Sequence, residues 1–148
     1  MTRVYSFPGK KSFFSGMLSV NLILILINVM FFLIMLFFPS DFILKNIAVS
    51  LESVQELRLW TLLTSMFMHG GFFHLFANMI SLIFIGGFIE KLIGKKRYFW
   101  FYMIAGLVGG LLYVLVEYFF PSGLPAVGAS GAIFGVAGLM AVLTPNLP

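Results

Sequence analysis

The chain alternates long apolar runs with short polar interruptions, at a spacing that suits helices crossing an apolar layer. Between Phe14 and Phe38 the only polar side chains are Ser15, Ser19, Asn21 and Asn28, and Leu22 to Ile27 is an unbroken aliphatic stretch. About 20 apolar residues span a bilayer, so residues 14–38 are predicted to form a first transmembrane helix. A cleaved signal peptide is the competing assignment, but the run is too long for one and lacks a small-x-small site before Pro39. Pro39-Ser40-Asp41 ends the helix. Residues 39–71 carry Asp41, Lys45, Glu52, Glu56 and Arg58, then an amphipathic stretch from Leu57 to Met68 with Trp60, a residue suited to the membrane interface. This long connection is predicted to be structured at the membrane surface.

Three further runs follow. Residues 72–93 form a second predicted span holding His74, Asn78 and Glu90, closed by Gly94 and a short loop over 94–97. Residues 98–120 form a third, with Gly106, Gly109 and Gly110 as a face that lets a neighbouring helix approach closely. After a turn at Pro121-Ser122-Gly123-Leu124-Pro125, residues 130–143 form a fourth, with Gly131, Gly135 and Gly138 as a second such face. The fourth is short: Ser130 to Thr144 would rise about 22 Å against a hydrocarbon core of about 30 Å. Either the helix starts below the outer surface, with residues 121–129 dipping into the membrane around a wet cavity, or the span is incomplete. The fold class expected is an all-α polytopic membrane protein with four transmembrane helices.

Composition agrees. Hydrophobic residues make up 61% of the chain and charged residues 9%, against about 25% charged in ordinary soluble domains, so too few charges exist to cover a water-facing surface. Cysteine is absent, which removes disulfides and thiolate chemistry, and no basic patch suggests nucleic acid. Of nine Lys and Arg, three (Arg3, Lys10, Lys11) precede the first run and four (Lys91, Lys95, Lys96, Arg97) gather at the end of the second run and in the loop before the third. Positive charge stays in the cytoplasm. The N-terminal segment 1–13 and the 94–97 loop are therefore predicted to be cytoplasmic in a multi-pass cell-membrane protein, with 39–71 and 121–129 outside. That orientation brings His69 to Asn78 and Gly128 to Gly131 to the same side.

These two polar clusters are the candidate chemistry. His74 and Asn78 are one helical turn apart and share a face, where both are costly in lipid. They could be packing hydrogen bonds. A metal is a second option, since His69 could converge on His74 if it lies off the helix at Gly70-Gly71, but no carboxylate or thiolate stands nearby to complete a zinc set. A third option makes them donors to a developing negative charge near Ser130. Gly128-Ala129-Ser130-Gly131 opens the fourth helix, whose first N–H groups lack intrahelical partners and suit an oxyanion. The plain alternative is an N-cap serine in a packing helix.

Taken together, Trp60-Thr61-Leu62-Leu63-Thr64-Ser65-Met66-Phe67-Met68-His69, His74-x-x-x-Asn78, Gly86-Gly87-x-x-Glu90-Lys91-x-x-Gly94 and Gly128-Ala129-Ser130-Gly131-x-x-Phe134-Gly135 resemble the rhomboid family of intramembrane serine proteases over about residues 58–143. The resemblance implies a rhomboid-like helical bundle, with Ser130 as nucleophile and the Ser130 backbone N–H, His74 and Asn78 as oxyanion hole. Gly128, Gly131, His69, Phe134 and Glu90 would be supporting residues: His69 structural in the first loop, Phe134 packed on the catalytic histidine, Glu90 tying the cytoplasmic end of the second span. It implies single-span membrane-protein substrates in the lipid bilayer, no metal and no cofactor. The chain departs from the pattern twice. Thr61 follows Trp60 where many members have arginine, with Arg58 one helical face away. The family's base is a histidine on a sixth span, and the two histidines here both belong to the second-span motif. The chain is expected either to be the N-terminal part of a longer protease, lacking its C-terminal spans, or to be an inactive relative that binds membrane-protein clients.

Overall fold

The structure, a computed structural model, describes residues 19–145. The segment 1–13 and residues 14–18 of the first apolar run lie outside the described residues. The elements are α1 (Val20–Met35), α2 (Ser40–Asn46), α3 (Leu51–Gln55), α4 (Thr61–Thr64), α5 (Phe72–Ile93), α6 (Lys95–Phe119) and α7 (Ser130–Leu143). Among the described residues the fold is helical, with one isolated antiparallel bridge between Val49 and Ala126. By length and composition, α5 and α6 are long and apolar enough to cross a membrane, while α1 and α7 are shorter apolar helices of 16 and 14 residues.

α1 begins where Ser19 accepts the Leu22 N–H at 3.1 Å and ends three residues before Phe38. Pro39 disfavours helical geometry in the residue before it, and the chain leaves in turns closed by Phe37 and Phe38. The loop from 39 to 71 is ordered by short-range polar bonds. Ser50 and Ser53 form a reciprocal capping box on α3, Trp60 Nε1 donates to the Asn46 carbonyl at 2.9 Å, and Arg58 is buried with an ion pair to Glu56 at 2.8 Å. The amphipathic pattern over 57–68 does not become one helix. Leu57 takes a left-handed φ of 60°, and Thr61 Oγ1 and Thr64 Oγ1 bond to the Arg58 and Ile47 carbonyls. Such side-chain bonds compete with the helical ladder, leaving only the single turn of α4.

The long helices pack around a core of Leu24, Met79, Leu82, Tyr98, Ala132 and Val136, while large apolar residues such as Leu26, Phe73 and Phe84 stay exposed. That inversion suits a bundle whose solvent is lipid. α6 and α7 touch through their glycines: a side-chain carbon at Gly109 would fall 3.1 Å from Gly131 Cα, and one at Gly135 would meet Ala105.

At the opposite end of α5 from the polar clusters, a buried network joins three helices. The Glu90 carboxylate accepts from Ser19 Oγ at 2.6 Å, from the Val20 N–H at 2.8 Å and from the Asn21 N–H at 3.0 Å, satisfying the start of α1 where its N–H groups lack partners. Within α5, residues Leu82–Gly86 form a π-helical turn. The Leu82 carbonyl accepts Asn21 Nδ2 at 2.7 Å, and the Tyr98 hydroxyl donates to Asn21 Oδ1 at 2.7 Å. Gly86 is what lets Asn21 and Tyr98 in, since a side-chain carbon there would overlap both.

Gly86→Ala is therefore expected to destabilise the bundle by about 1–3 kcal/mol, the usual cost of overpacking. Gly138→Ala, where nothing lies within 4 Å of the added carbon, is expected to be neutral or mildly stabilising. Thermal unfolding of the two variants in one detergent checks the contrast, and equal midpoints would contradict it.

Candidate active site

The site is assembled by backbone fastenings before any side chain enters it. The connection from α6 to α7 is held at Ala126, which exchanges hydrogen bonds with Val49 at 2.7 and 3.1 Å, and at Gly128, whose N–H donates to the Ser65 carbonyl at 2.8 Å. Gly128 has φ +118°, a conformation that L side chains rarely adopt. It also lacks room for one: a side-chain carbon would fall 2.6 Å from His74 Nε2 and 3.6 Å from Asn78 Nδ2. The segment leading to Ser130 thus runs directly against the faces of His74 and Asn78.

α7 starts at Ser130 itself. Ala129, fully buried, occupies the cap position with no side-chain cap bond, and its carbonyl accepts the Ile133 N–H at 3.0 Å. Ser130 is therefore the first helical residue and not an N-cap serine. Its N–H and those just after it have no intrahelical acceptor, so the positive end of α7 faces this spot. Ser130 also lines a cavity of about 160 Å³ together with Ser65, Tyr113, Gly128 and Gly131. Gly131 supplies close contact with α6 at Gly109.

On α5, His74 is half-buried and Asn78 buried. One Asn78 amide hydrogen goes to the His74 carbonyl at 3.0 Å, which leaves the second free to donate. His69 does lie off the helix, and its ring meets that of His74 edge-on, 5.1 Å between centres and 69° between planes. It is buried, and neither ring nitrogen has a hydrogen-bond partner among the described residues. Burial, and next the neighbouring His74, push its pKa down to about 4, so it is neutral at pH 7. Two imidazoles are not a metal set: among the described residues no three His, Cys, Asp or Glu side chains come together.

The structure thus gathers His69, His74, Asn78, Gly128, Ser130 and Gly131 at one end of the bundle. Glu90 belongs to the opposite end of α5, bonded to the start of α1. Phe134 is 78% exposed, on the rim of an apolar groove of about 490 Å³ between α6 and α7. Sequence reasoning did not find Tyr113 or Ser65 as part of the site. The one signal available for Tyr113 is its position one helical turn before Glu117, at the end of α6 nearest the turn.

With that geometry in view, comparison with known proteins is informative. The family model for the rhomboid domain matches residues 56–147. RHOMBOID-like protein 5 of Arabidopsis thaliana is 41% identical over 107 residues, covering 72% of this chain and 34% of that protein. RHOMBOID-like protein 1 of the same plant is 46% identical over 87 residues, 59% of this chain and 21% of that protein. Inactive RHOMBOID-like protein 8, also from Arabidopsis thaliana, is 39% identical over 82 residues, 55% of this chain and 22% of that protein. The chain spans about a fifth to a third of the length of these relatives.

The buried His69 makes stability depend on pH in a definite direction. Its folded pKa lies below the ordinary 6.5, so as pH falls from about 6.5 to about 4 the unfolded chain takes up a proton that the folded chain refuses, and stability is lost across that window. Unfolding midpoints measured between pH 7.5 and pH 4 should fall in the parent and fall less in His69→Gln. Parallel curves would show that His69 is not the group responsible.

Proposed function

The chain belongs to the rhomboid family, and from that premise we propose that it carries the nucleophile and oxyanion hole of an intramembrane serine endopeptidase acting on single-span membrane proteins. The observation that carries this reading is the packing of Gly128 against His74 Nε2 and Asn78 Nδ2, two residues before a serine that opens a helix. Ser130 Oγ attacks the scissile carbonyl. The developing oxyanion is received by the Ser130 N–H at the positive end of α7, by the free Asn78 amide hydrogen and by His74. Gly128 and Gly131 hold the serine in place, the first packed against His74 and Asn78 and the second against α6.

The general base is supplied from outside residues 1–148. Serine needs a group that takes its proton and passes it to the leaving amine. Both histidines of the chain stand on the α5 side of Gly128, where His74 is engaged as a donor. A histidine on a C-terminal span fits the short share of the relatives' length that this chain covers, and the exposed ring of Phe134 supports a partner helix beside α7. In this reading α1, α5, α6 and α7 all cross the cell membrane, α7 starting below the outer surface, with the N-terminus cytoplasmic and the Ser130 site opening outward. A second reading, a client-binding member without proteolysis, is favoured by the similarity to Inactive RHOMBOID-like protein 8.

Purified residues 1–148 should not cleave a single-span substrate, and adding a separately expressed C-terminal segment that carries a histidine should start cleavage. In the complemented protein Ser130→Ala should abolish it, while Asn78→Ala and His74→Ala should lower kcat by about 10²–10³ with a smaller change in KM. Cleavage by Ser130→Ala at the parent rate would remove the nucleophile assignment, and silence under both conditions would favour the client-binding member. Orientation is checked separately, since the chain has no cysteine of its own. An impermeant thiol reagent applied outside intact cells should label Gln55→Cys, on the exposed face of α3, and spare Lys96→Cys. The opposite pattern would invert the topology.

A further inference from the structure

Glu117 breaks two local rules. It lies in the last turn of α6, where the helix dipole disfavours negative charge, and it is only 5% exposed, where a carboxylate needs compensating donors. Three come from the turn that follows: the Ser122 N–H, Ser122 Oγ at 2.8 Å and the Gly123 N–H at 2.8 Å. The Tyr113 hydroxyl lies 3.0 Å from Oε2 but has one hydrogen for two acceptors. Ser122 Oγ in turn accepts the Leu124 N–H at 3.2 Å, and the Tyr113 hydroxyl also reaches the Leu124 carbonyl. Gly123 adopts φ +72° within this turn. Three of these donors belong to Ser122 and Gly123, so the carboxylate ties the chain that follows α6 back to the end of that helix. Downstream, the same connection is fastened to Val49 at Ala126 and to Ser65 at Gly128, and Tyr113 lines the cavity that Ser130 lines.

We propose that Glu117 is a positioning residue for the Ser130 site: by gathering residues 122–124 on the end of α6 it sets the path of the connection, and so holds Gly128 and the Ser130 N–H against His74 and Asn78. This rests on the reading of Ser130 as nucleophile. Displacing donors by about 1 Å is enough to lower turnover by about 10², so the consequence of losing the clamp falls on the chemical step.

The test has one arm that does not need proteolysis. Val49 and Ala126 exchange both backbone bonds, which places opposed α-carbons about 5.5 Å apart, within disulfide range. Val49→Cys/Ala126→Cys introduced into the 1–148 chain in bilayers should cross-link readily. Adding Glu117→Gln should slow that cross-linking several-fold, Glu117→Asp less so, and Ser122→Ala less again. A control pair, Ser53→Cys/Thr61→Cys, whose parent hydroxyls lie 3.0 Å apart in the first loop, should be unaffected and so exclude general unfolding. If Glu117→Gln fails this control, Ser122→Ala, which removes only the hydroxyl's contacts with Glu117 and the Leu124 N–H, supplies the comparison. Unchanged 49–126 cross-linking in the folded variants overturns the proposal. In the complemented protein, provided cleavage is lost in Ser130→Ala, Glu117→Gln should lower kcat by about 10²-fold with KM within a factor of two, and equal kcat also overturns it. If Ser130→Ala cleaves like the parent, the nucleophile reading has failed instead, and the cross-linking result alone decides whether Glu117 places the connection.

Discussion

Polar groups inside an apolar bundle have no water to turn to, and most of this structure follows from where they find partners. The Glu90 carboxylate receives the opening N–H groups of α1. Asn21 is held between the Leu82 carbonyl and the Tyr98 hydroxyl. The Gly128 N–H is taken by the Ser65 carbonyl. Each bond links elements far apart in the chain, and each would leave an unpaired group in a low-dielectric interior if broken. The bundle is therefore registered by a few obligatory polar meetings, with apolar contact filling the space between them.

Small residues make those meetings possible. Gly86 admits Asn21 and Tyr98, and Gly109 and Gly131 bring α6 and α7 almost to backbone contact. Gly128 lets a bare stretch of chain lie against an imidazole and an amide. Only the last of these lies at the candidate site, but it depends on the others. The position of Ser130 is set by the α6–α7 contact, and that of His74 and Asn78 by the packing of α5 against α1 and α7. Donors placed by rigid helices are preorganised toward any charge brought to them.

The site end and the Glu90 end of α5 handle polarity differently. Around Glu90 the donors and acceptors are matched. Around His69 they are not: a buried imidazole stands with both nitrogens unpaired beside a second imidazole. Asn28 Oδ1, Arg58 Nε and the Tyr102 hydroxyl are likewise buried without a partner among the described residues. On the lipid-facing side, the exposed Phe134 borders an apolar groove between α6 and α7.

What the sequence determined by itself was local. The apolar runs specified α5 and α6, because a 20-residue stretch without charges has few options besides a long helix. Pro39 and Gly94 marked breaks by their own backbone chemistry, and the spacing of His74 and Asn78 set a shared helical face. The serine between glycines declared a helix start. Tertiary structure decided the rest. That Glu90 would accept from residues 69 to 71 positions away, that Glu117 would gather the turn after it, and that Tyr113 would share a cavity with Ser130 depend on how helices meet, which no near-neighbour pattern encodes. The stretch 57–68 shows the same limit from the other side. Its amphipathic period favoured a helix, but hydroxyl bonds to Arg58 and Ile47 and the left-handed Leu57 left one turn. Periodicity reports which face is apolar; only packing decides which polar groups are near enough to replace the helical ladder.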